Sequence, residues 1–508
     1  MPAPPGSPAR WRAMLALCIG TAAAAWHPVP MPGLRGRAPP GQCRRVRLLC
    51  AGTGGHAAED GDAGAGRLQP RNQQELIEQA KAAQQLQRDA DKARAAGGVV
   101  KATRKTKRKP LPIDPLTPPP HADSFPPYEQ REYFWYELIY ESKRSGARVG
   151  RIHTPHGVVD TPGYVPVATI AAQKGVDHRL MDSVANQQLM FCNTYHLLLQ
   201  PGPDVVEAAG GLHKFMGRDM SRPLITDSGG FQVFSLAFGS VADDLNEGNV
   251  KGSGSRSHAP TVLDVKEEGV SFRSYRDGQR ITLTPESTVQ HQKKLGADII
   301  IPLDELPPYR VSAEKLRESL YLSHRWEARS LREHMRDPRQ QAMYAVVHGG
   351  VDRALRQESI DYLTSLPFEG YAMGGSFGKL GDELADIVGF MCPQLPPDRP
   401  RHLLGIADLP SIQRCVLHGV DTFDSAFPTR NGRHGCLFAR PEHIKIGNSK
   451  WAHHHEPVSP YLPYTGAYLH HLFKAKEPLA VVLFTQHNLC FMQDFMKGIR
   501  DDILLGKL

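Results

Sequence analysis

The sequence predicts an α/β protein: a (β/α)8 barrel with a small C-terminal subdomain and a disordered N-terminal extension. Three observations lead there. Short apolar runs alternate with stretches of helical period from residue 149 onward, the rhythm of βα units and so of a parallel sheet. Residues able to do chemistry (Asn193, Asp227, Asp304, His348, Gly375 and Asp424) stand at the carboxyl ends of these runs, and a (β/α)8 barrel gathers such ends on one face. A doubly wound sheet would bring them to one crevice. However, no Gly-x-Gly-x-x-Gly follows the first run, which weakens the dinucleotide-binding alternative.

The expected strands are residues 189–192, 223–225, 298–303, 343–347, 371–373, 402–406 and 422–423, each a short apolar run closed by a polar or Gly-rich turn. The expected helices are 205–209, 286–295, 313–335, 353–363 and 384–391. Residues 239–262 are polar, rich in Gly and Ser and aperiodic, and read as a surface loop.

Composition sets the outer limits. The chain has 508 residues, 40% hydrophobic and 22% charged, with a formal charge of +8, which is globular composition. It excludes a disulfide-framed mini-protein and collagen, and no apolar run of about 18 residues suggests a polytopic membrane protein. Residues 1–110 carry 19 Lys+Arg against 7 Asp+Glu, leaving a net −4 on the remainder. The high isoelectric point therefore belongs to the head of the chain, and any nucleic-acid site in the body must be a local patch.

That head reads as an address. No acidic residue precedes Glu59, and Arg10 and Arg12 flank a short apolar core over residues 14–20 followed by small residues, a signal-peptide pattern. An acid-free segment with Arg35, Arg37, Arg44, Arg45 and Arg47 follows and is transit-like. Together they suggest a presequence over 1–58 that directs the chain to an organelle, a plastid before a mitochondrion. Residues 59–123 read as a polar helical or disordered stretch, a basic run (Lys101, Arg104, Lys105, Lys107, Arg108, Lys109) and a Pro-rich linker. The body is 124–508, with a helical C-terminal subdomain from about 450.

Three carboxylates carry the chemical reading. Asp227 lies in Thr226-Asp227-Ser228-Gly229-Gly230-Phe231-Gln232, Asp304 in Leu303-Asp304-Glu305-Leu306, and Asp424 in Thr422-Phe423-Asp424-Ser425. A lone Asp at a strand end is often a cap or turn former. Three at one barrel mouth suit displacement at an acetal carbon, where one carboxylate attacks and another moves protons. From residue type alone, this leaves glycosyl transfer and glycoside hydrolysis both open.

The motifs narrow the choice. Asn193-Thr194-Tyr195-His196-Leu197, Gly210-Gly211-Leu212-His213-Lys214-Phe215-Met216, the Thr226 to Gln232 run, Tyr371-Ala372-Met373-Gly374-Gly375, Phe427-Pro428-Thr429-Arg430, Tyr468-Leu469-His470-His471-Leu472 and Thr485-Gln486-His487-Asn488 resemble the tRNA-guanine transglycosylases over about residues 148–506. The resemblance implies a (β/α)8 barrel that exchanges guanine at the anticodon wobble position of tRNA for queuine or a 7-deazaguanine precursor. It implies Asp424 as nucleophile, Asp227 as acid/base and Asp304 as the reader of the purine edge. Gly375 would contact the base through its backbone, with Phe231, His348 and Leu404 at other base-pocket positions. Arg430 and Arg433 would contact the tRNA, for which a guanidinium fork is suited. The implied partners are tRNA, the free base, and a second subunit in a homodimer or heterodimer.

The sequence also departs from that family. His348 stands in place of a Gln and Leu404 in place of a Met. The family's Cys-x-Cys-x2-Cys zinc positions read Glu456, Val458 and Tyr461, with only His487 retained. No metal and no cofactor are therefore expected, with packing around Tyr461, Tyr464 and Tyr468 in their place. A non-catalytic, tRNA-binding accessory subunit is the alternative reading. It is opposed by the retained Asp424.

Overall fold

The computed structural model describes residues 113–238, 262–308, 311–378 and 381–508. The expectations for the presequence, the polar stretch and basic run, and the loop up to residue 261 lie outside the described residues. Eight parallel strands close into a barrel: β1 (Gly163–Ala168), β2 (Met190–Cys192), β3 (Leu224–Thr226), β4 (Ile299–Ile300), β5 (Ala342–Val347), β6 (Gly370–Met373), β7 (Arg401–Leu403) and β8 (Thr422–Ser425). Each pairs with its sequence neighbour, and β8 returns to β1 with Asp424 opposite Val165. The (β/α)8 architecture expected from the sequence is the one observed.

Seven of the eight strands match the apolar runs. β1 was not anticipated, because Pro166 interrupts its run and cannot donate to a ladder. β4 is shorter than its apolar run over residues 298–303. Pro302 ends the ladder, and the Gln292 side chain takes the place of a neighbouring strand at Ile301. Gln292 Oε1 accepts from Ile301 N at 3.0 Å, and its Nε2 donates to Ile301 O at 2.8 Å. A short sheet also went unread between β3 and β4. Its antiparallel strands Val262–Lys266, Gly269–Arg273 and Arg280–Leu283 alternate charged residues with a buried face of Val270, Phe272 and Leu283.

An antiparallel sheet of Trp135–Glu141, Arg148–Thr154 and Gly157–Thr161 precedes the barrel. Its Phe134, Tyr136, Ile152 and Val159 join Val165, Phe191, Ile225, Ile299 and Tyr344 in one apolar cluster, so this sheet plugs the amino-terminal end of the barrel. One buried ion pair fastens it. Arg148 Nε donates to Asp421 Oδ1 at 2.9 Å, and Tyr136 OH donates to the same oxygen at 2.8 Å. Asp421 Oδ2 accepts from Arg401 N at 2.7 Å. Removing the carboxylate leaves a guanidinium buried without its counter-charge. Asp421→Ala is expected to cost about 3–5 kcal/mol, measured by denaturant unfolding.

The Pro-rich stretch meets the barrel helices before Ser124. Arg325 Nη1 donates to Thr117 O at 2.6 Å and Tyr362 OH to Pro120 O at 3.0 Å. At the other end of the chain, the helix Pro478–Leu504 lies across the barrel, and Leu489, Met492, Phe495, Met496 and Ile499 enter the main core. Among the described residues no helix is long and apolar enough to cross a membrane.

Candidate active site at the carboxyl ends of the strands

Asp227 follows β3 directly. Its Oδ1 accepts from Thr194 N at 2.7 Å, and its Oδ2 accepts from Asn193 Nδ2 at 2.7 Å and Gln232 Nε2 at 2.9 Å. Asn193 and Thr194 leave β2, and Gln232 rides on the helix Gly230–Phe238 that starts after Asp227. Burial raises the Asp227 carboxyl to about 6, against the pull of these three hydrogen bonds, and the charge of Asp424 adds to the rise. A carboxyl so placed changes protonation near neutrality.

Asp424 lies within β8, and alternation along the strand puts Thr422 and Asp424 on one face. Asp424 Oδ1 accepts from Gly405 N at 2.9 Å and lies 3.1 Å from His402 Nε2. Tyr164 of β1, buried beside it, donates to Ser425 O at 2.8 Å. Burial and the Asp424 charge hold the Tyr164 phenol well above its usual range.

Asp304, His348 and Gly375 form the third part of the mouth. His348 Nε2 is buried and lies 3.1 Å from Asp304 Oδ2, within reach but without the alignment of a hydrogen bond. A buried ring nitrogen in that state is open to a ligand. Gly375 has φ +79°, and a Cβ there would stand 3.3 Å from His348 Nδ1, so the glycine keeps backbone exposed at this point. Beneath both lies Arg356, fully buried. It donates to the carbonyls of Val347 at 2.6 Å, Gly350 at 2.8 Å and Gly374 at 2.9 Å. One guanidinium thus fixes the chain leaving β5 and β6. Burial lowers its pKa to about 9.

Phe231, in the first turn of the helix after β3, is 54% exposed, and Leu404, directly after β7, is half-buried. Arg430 and Arg433 lie on the helix Phe427–Arg433 that leaves β8. Among the described residues neither has a carboxylate within ion-pair distance, and Arg433 Nη1 is buried without a hydrogen-bond partner. Burial and the neighbouring Arg430 lower the Arg433 pKa. The two guanidinium groups, one turn apart, have the chemistry that pairs with an anion. Asn488 braces this helix, donating to Pro428 O at 2.8 Å and accepting from Phe438 N at 2.8 Å.

The supporting residues His402, Thr194, Gln232, Gly405 and Arg356 were not singled out from sequence. Asn193 stands out in the sequence for its place after a strand and in the Asn193–Leu197 motif, without a stated role. His402 is paired with Thr422 across β7 and β8, a register that no local pattern discloses.

The residues at the family's zinc positions do not fit a zinc ion. His487 is buried and both its nitrogens are engaged, Nδ1 with Ser459 Oγ at 2.6 Å and Nε2 with Phe438 O at 2.7 Å. Burial lowers its pKa to about 4, so the neutral ring accepts from Ser459 and donates to Phe438. Val458 belongs to an apolar cluster with Leu437, Leu462, Leu469 and Phe484. Burial, with the charge of Asp494 added, pushes the Tyr461 phenol up. Tyr468 is 40% exposed, so the apolar residues of this cluster, not Tyr468, fill the subdomain.

Among the described residues, His156, His213 and Asp298 are the one group with metal-ligand types within 4.8 Å. They lie at the amino-terminal end of β4, away from the carboxylates. His156 Nδ1 is 2.8 Å from Asp298 Oδ1, and His213 Nε2 donates to Arg222 O at 3.0 Å. The rings stack at 3.9 Å, and one nitrogen of each ring is already engaged by these contacts. These contacts tie loops together. Cys192 is fully buried, and burial pushes its thiol up to about 12, which marks it as a core residue.

A family model described as queuine tRNA-ribosyltransferase matches residues 142–508. A queuine tRNA-ribosyltransferase of Protochlamydia amoebophila is 52% identical over 377 residues, covering 73% of this chain and 95% of the relative. Those of Chlamydia abortus and Chlamydia felis are each 48% identical, over 381 and 377 residues, covering 73% of this chain and 99% and 98% of the relatives. With the motifs, the barrel and the carboxylates all in agreement, the chain belongs to the queuine tRNA-ribosyltransferase family, enzymes of pentosyl transfer.

Proposed function

We propose that the chain is a tRNA-guanine transglycosylase working by double displacement, with Asp424 as nucleophile and Asp227 as acid/base. The observation that carries this reading is the pair itself. Two carboxylates at one barrel mouth influence each other's charge, and one is held near pH 6 by its surroundings. Asp424 attacks C1′ of the wobble guanosine as the C1′–base bond breaks, and the electron pair leaves with guanine. Protonated Asp227 gives its proton to the departing base. The incoming base returns a proton to Asp227 and attacks C1′, and the ester bond breaks to restore the Asp424 carboxylate. The reacting nucleotide must leave its stack to reach this mouth.

The Asp304 carboxylate and the open His348 nitrogen support recognition of a purine-like edge, with Gly375 backbone beside them. Phe231 and Leu404 supply apolar surface for a flat heterocycle. Arg430 and Arg433 support contact with the tRNA, whose binding would then weaken with added salt. The leader over residues 1–58 supports delivery to an organelle, a plastid first. The test is incubation of the purified protein with guanosine-bearing tRNA and labelled guanine, then with queuine and 7-aminomethyl-7-deazaguanine in turn. Label is expected to enter the tRNA and to be chased by the preferred base.

We further propose that the enzyme needs no zinc, since the Ser459–His487–Phe438 chain of hydrogen bonds occupies the only retained ligand. Treatment with a strong chelator is expected to leave both the unfolding temperature and the exchange rate unchanged. One tightly held zinc per chain by elemental analysis would refute this.

A further inference from the structure

His402 is fully buried. Its Nδ1 lies 2.8 Å from Thr422 Oγ1, its Nε2 3.1 Å from Asp424 Oδ1, and its ring stacks on Phe191 at 6.1 Å. The hydrogen-bond network fixes the tautomer. An ionised carboxylate only accepts, so Nε2 donates to Asp424, and in the neutral ring Nδ1 accepts from the Thr422 hydroxyl. Asp424 Oδ1 therefore receives two donors, His402 Nε2–H and Gly405 N–H at 2.9 Å. Asp424 Oδ2 accepts no hydrogen bond from any described residue.

We propose that His402 is a positioning residue for the nucleophile, holding Oδ1 so that Oδ2 is the oxygen that bonds to C1′. This rests on the transglycosylase reading above. When Oδ2 attacks, the C1′–base bond breaks and Oδ1 becomes the carbonyl oxygen of an ester. When the incoming base attacks, the Oδ2–C1′ bond breaks, its electron pair returns to the carboxylate, and charge reappears on Oδ1. The two donors on Oδ1 favour that return, because hydrogen bonds to a charged oxygen are the stronger ones. His402 thus aims the first displacement and assists the second.

The test uses the full-length protein with tRNA and compares His402→Leu, His402→Gln and Thr422→Val. His402→Leu is expected to lower kcat about ten- to a hundred-fold, with KM for tRNA unchanged, and to slow breakdown of the covalent adduct more than its formation. Gln presents an N–H at a similar reach and is expected to recover most of the loss. Thr422→Val, which frees the ring to change tautomer, is expected to lower kcat by a smaller factor in the same direction, and it carries the test should His402→Leu fail to fold. Wild-type kcat and adduct lifetime in either His402→Leu or Thr422→Val would overturn the proposal. So would a Gln variant no better than a folded Leu variant. If the wild type exchanges no base, the transglycosylase reading fails and the positioning role falls with it. An active wild type with indifferent variants removes the positioning role alone.

Discussion

Asp424→Ala is expected to abolish base exchange, with a fall in kcat on the order of 10⁴-fold or more, as for removal of a covalent nucleophile. The fold should survive the change. Asp424 lies at the carboxyl end of β8, and its loss leaves two donors, Gly405 N and His402 Nε2, without this acceptor, at about 1–3 kcal/mol each. Binding of tRNA should also survive, because Arg430 and Arg433 lie on the following helix. Activity and binding thus separate in a single variant. If instead the wild type binds tRNA and exchanges nothing, the chain is the accessory subunit that the missing zinc ligands left as an alternative.

The second large effect concerns Asp227. Its replacement by Ala should cost about 10²–10⁴-fold, the range for a general acid–base group, and its pH dependence should be distinctive. The folded carboxyl is raised from the usual 3.8 to about 6. Below about 6 it is protonated and able to serve the departing guanine, so formation of the adduct should be fast there and fall as pH rises through that value. Above about 6 it is ionised and able to accept the proton of the incoming base, so breakdown of the adduct should rise with pH over the same interval. Rapid-quench measurement of the two half-reactions should give curves of opposite slope crossing near pH 6. Parallel curves would remove Asp227 from this role.

Much of this was legible in the sequence, for reasons that differ by residue. The parallel barrel followed from alternating periods, since runs buried on both faces read as short continuous apolar segments. The three carboxylates stood out because each closes such a run. β1 stayed hidden because Pro166 mimics a breaker, although it sits only where the pairing with β8 ends, and Val167 and Ala168 pair on with β2. The supporting residues were hidden for another reason. His402 acts through its pairing with Thr422, Asn193 and Gln232 through Asp227, and Arg356 through carbonyls of two successive strand ends. Their roles depend on register and closure, which local pattern does not carry. The zinc positions show the reverse. Loss of the thiolates was plain from sequence, but what fills the space, a Ser459–His487–Phe438 chain within an apolar cluster, needed three dimensions.

The most direct measurement is mass spectrometry of an acid-quenched mixture of the enzyme with wobble-guanosine tRNA in the absence of an incoming base. After nuclease digestion, the mass of a ribose phosphate without its base is expected on the one peptide that holds Asp424, and is expected to be absent from Asp424→Asn. An adduct on another residue, or active exchange with no adduct at any quench time, would contradict it.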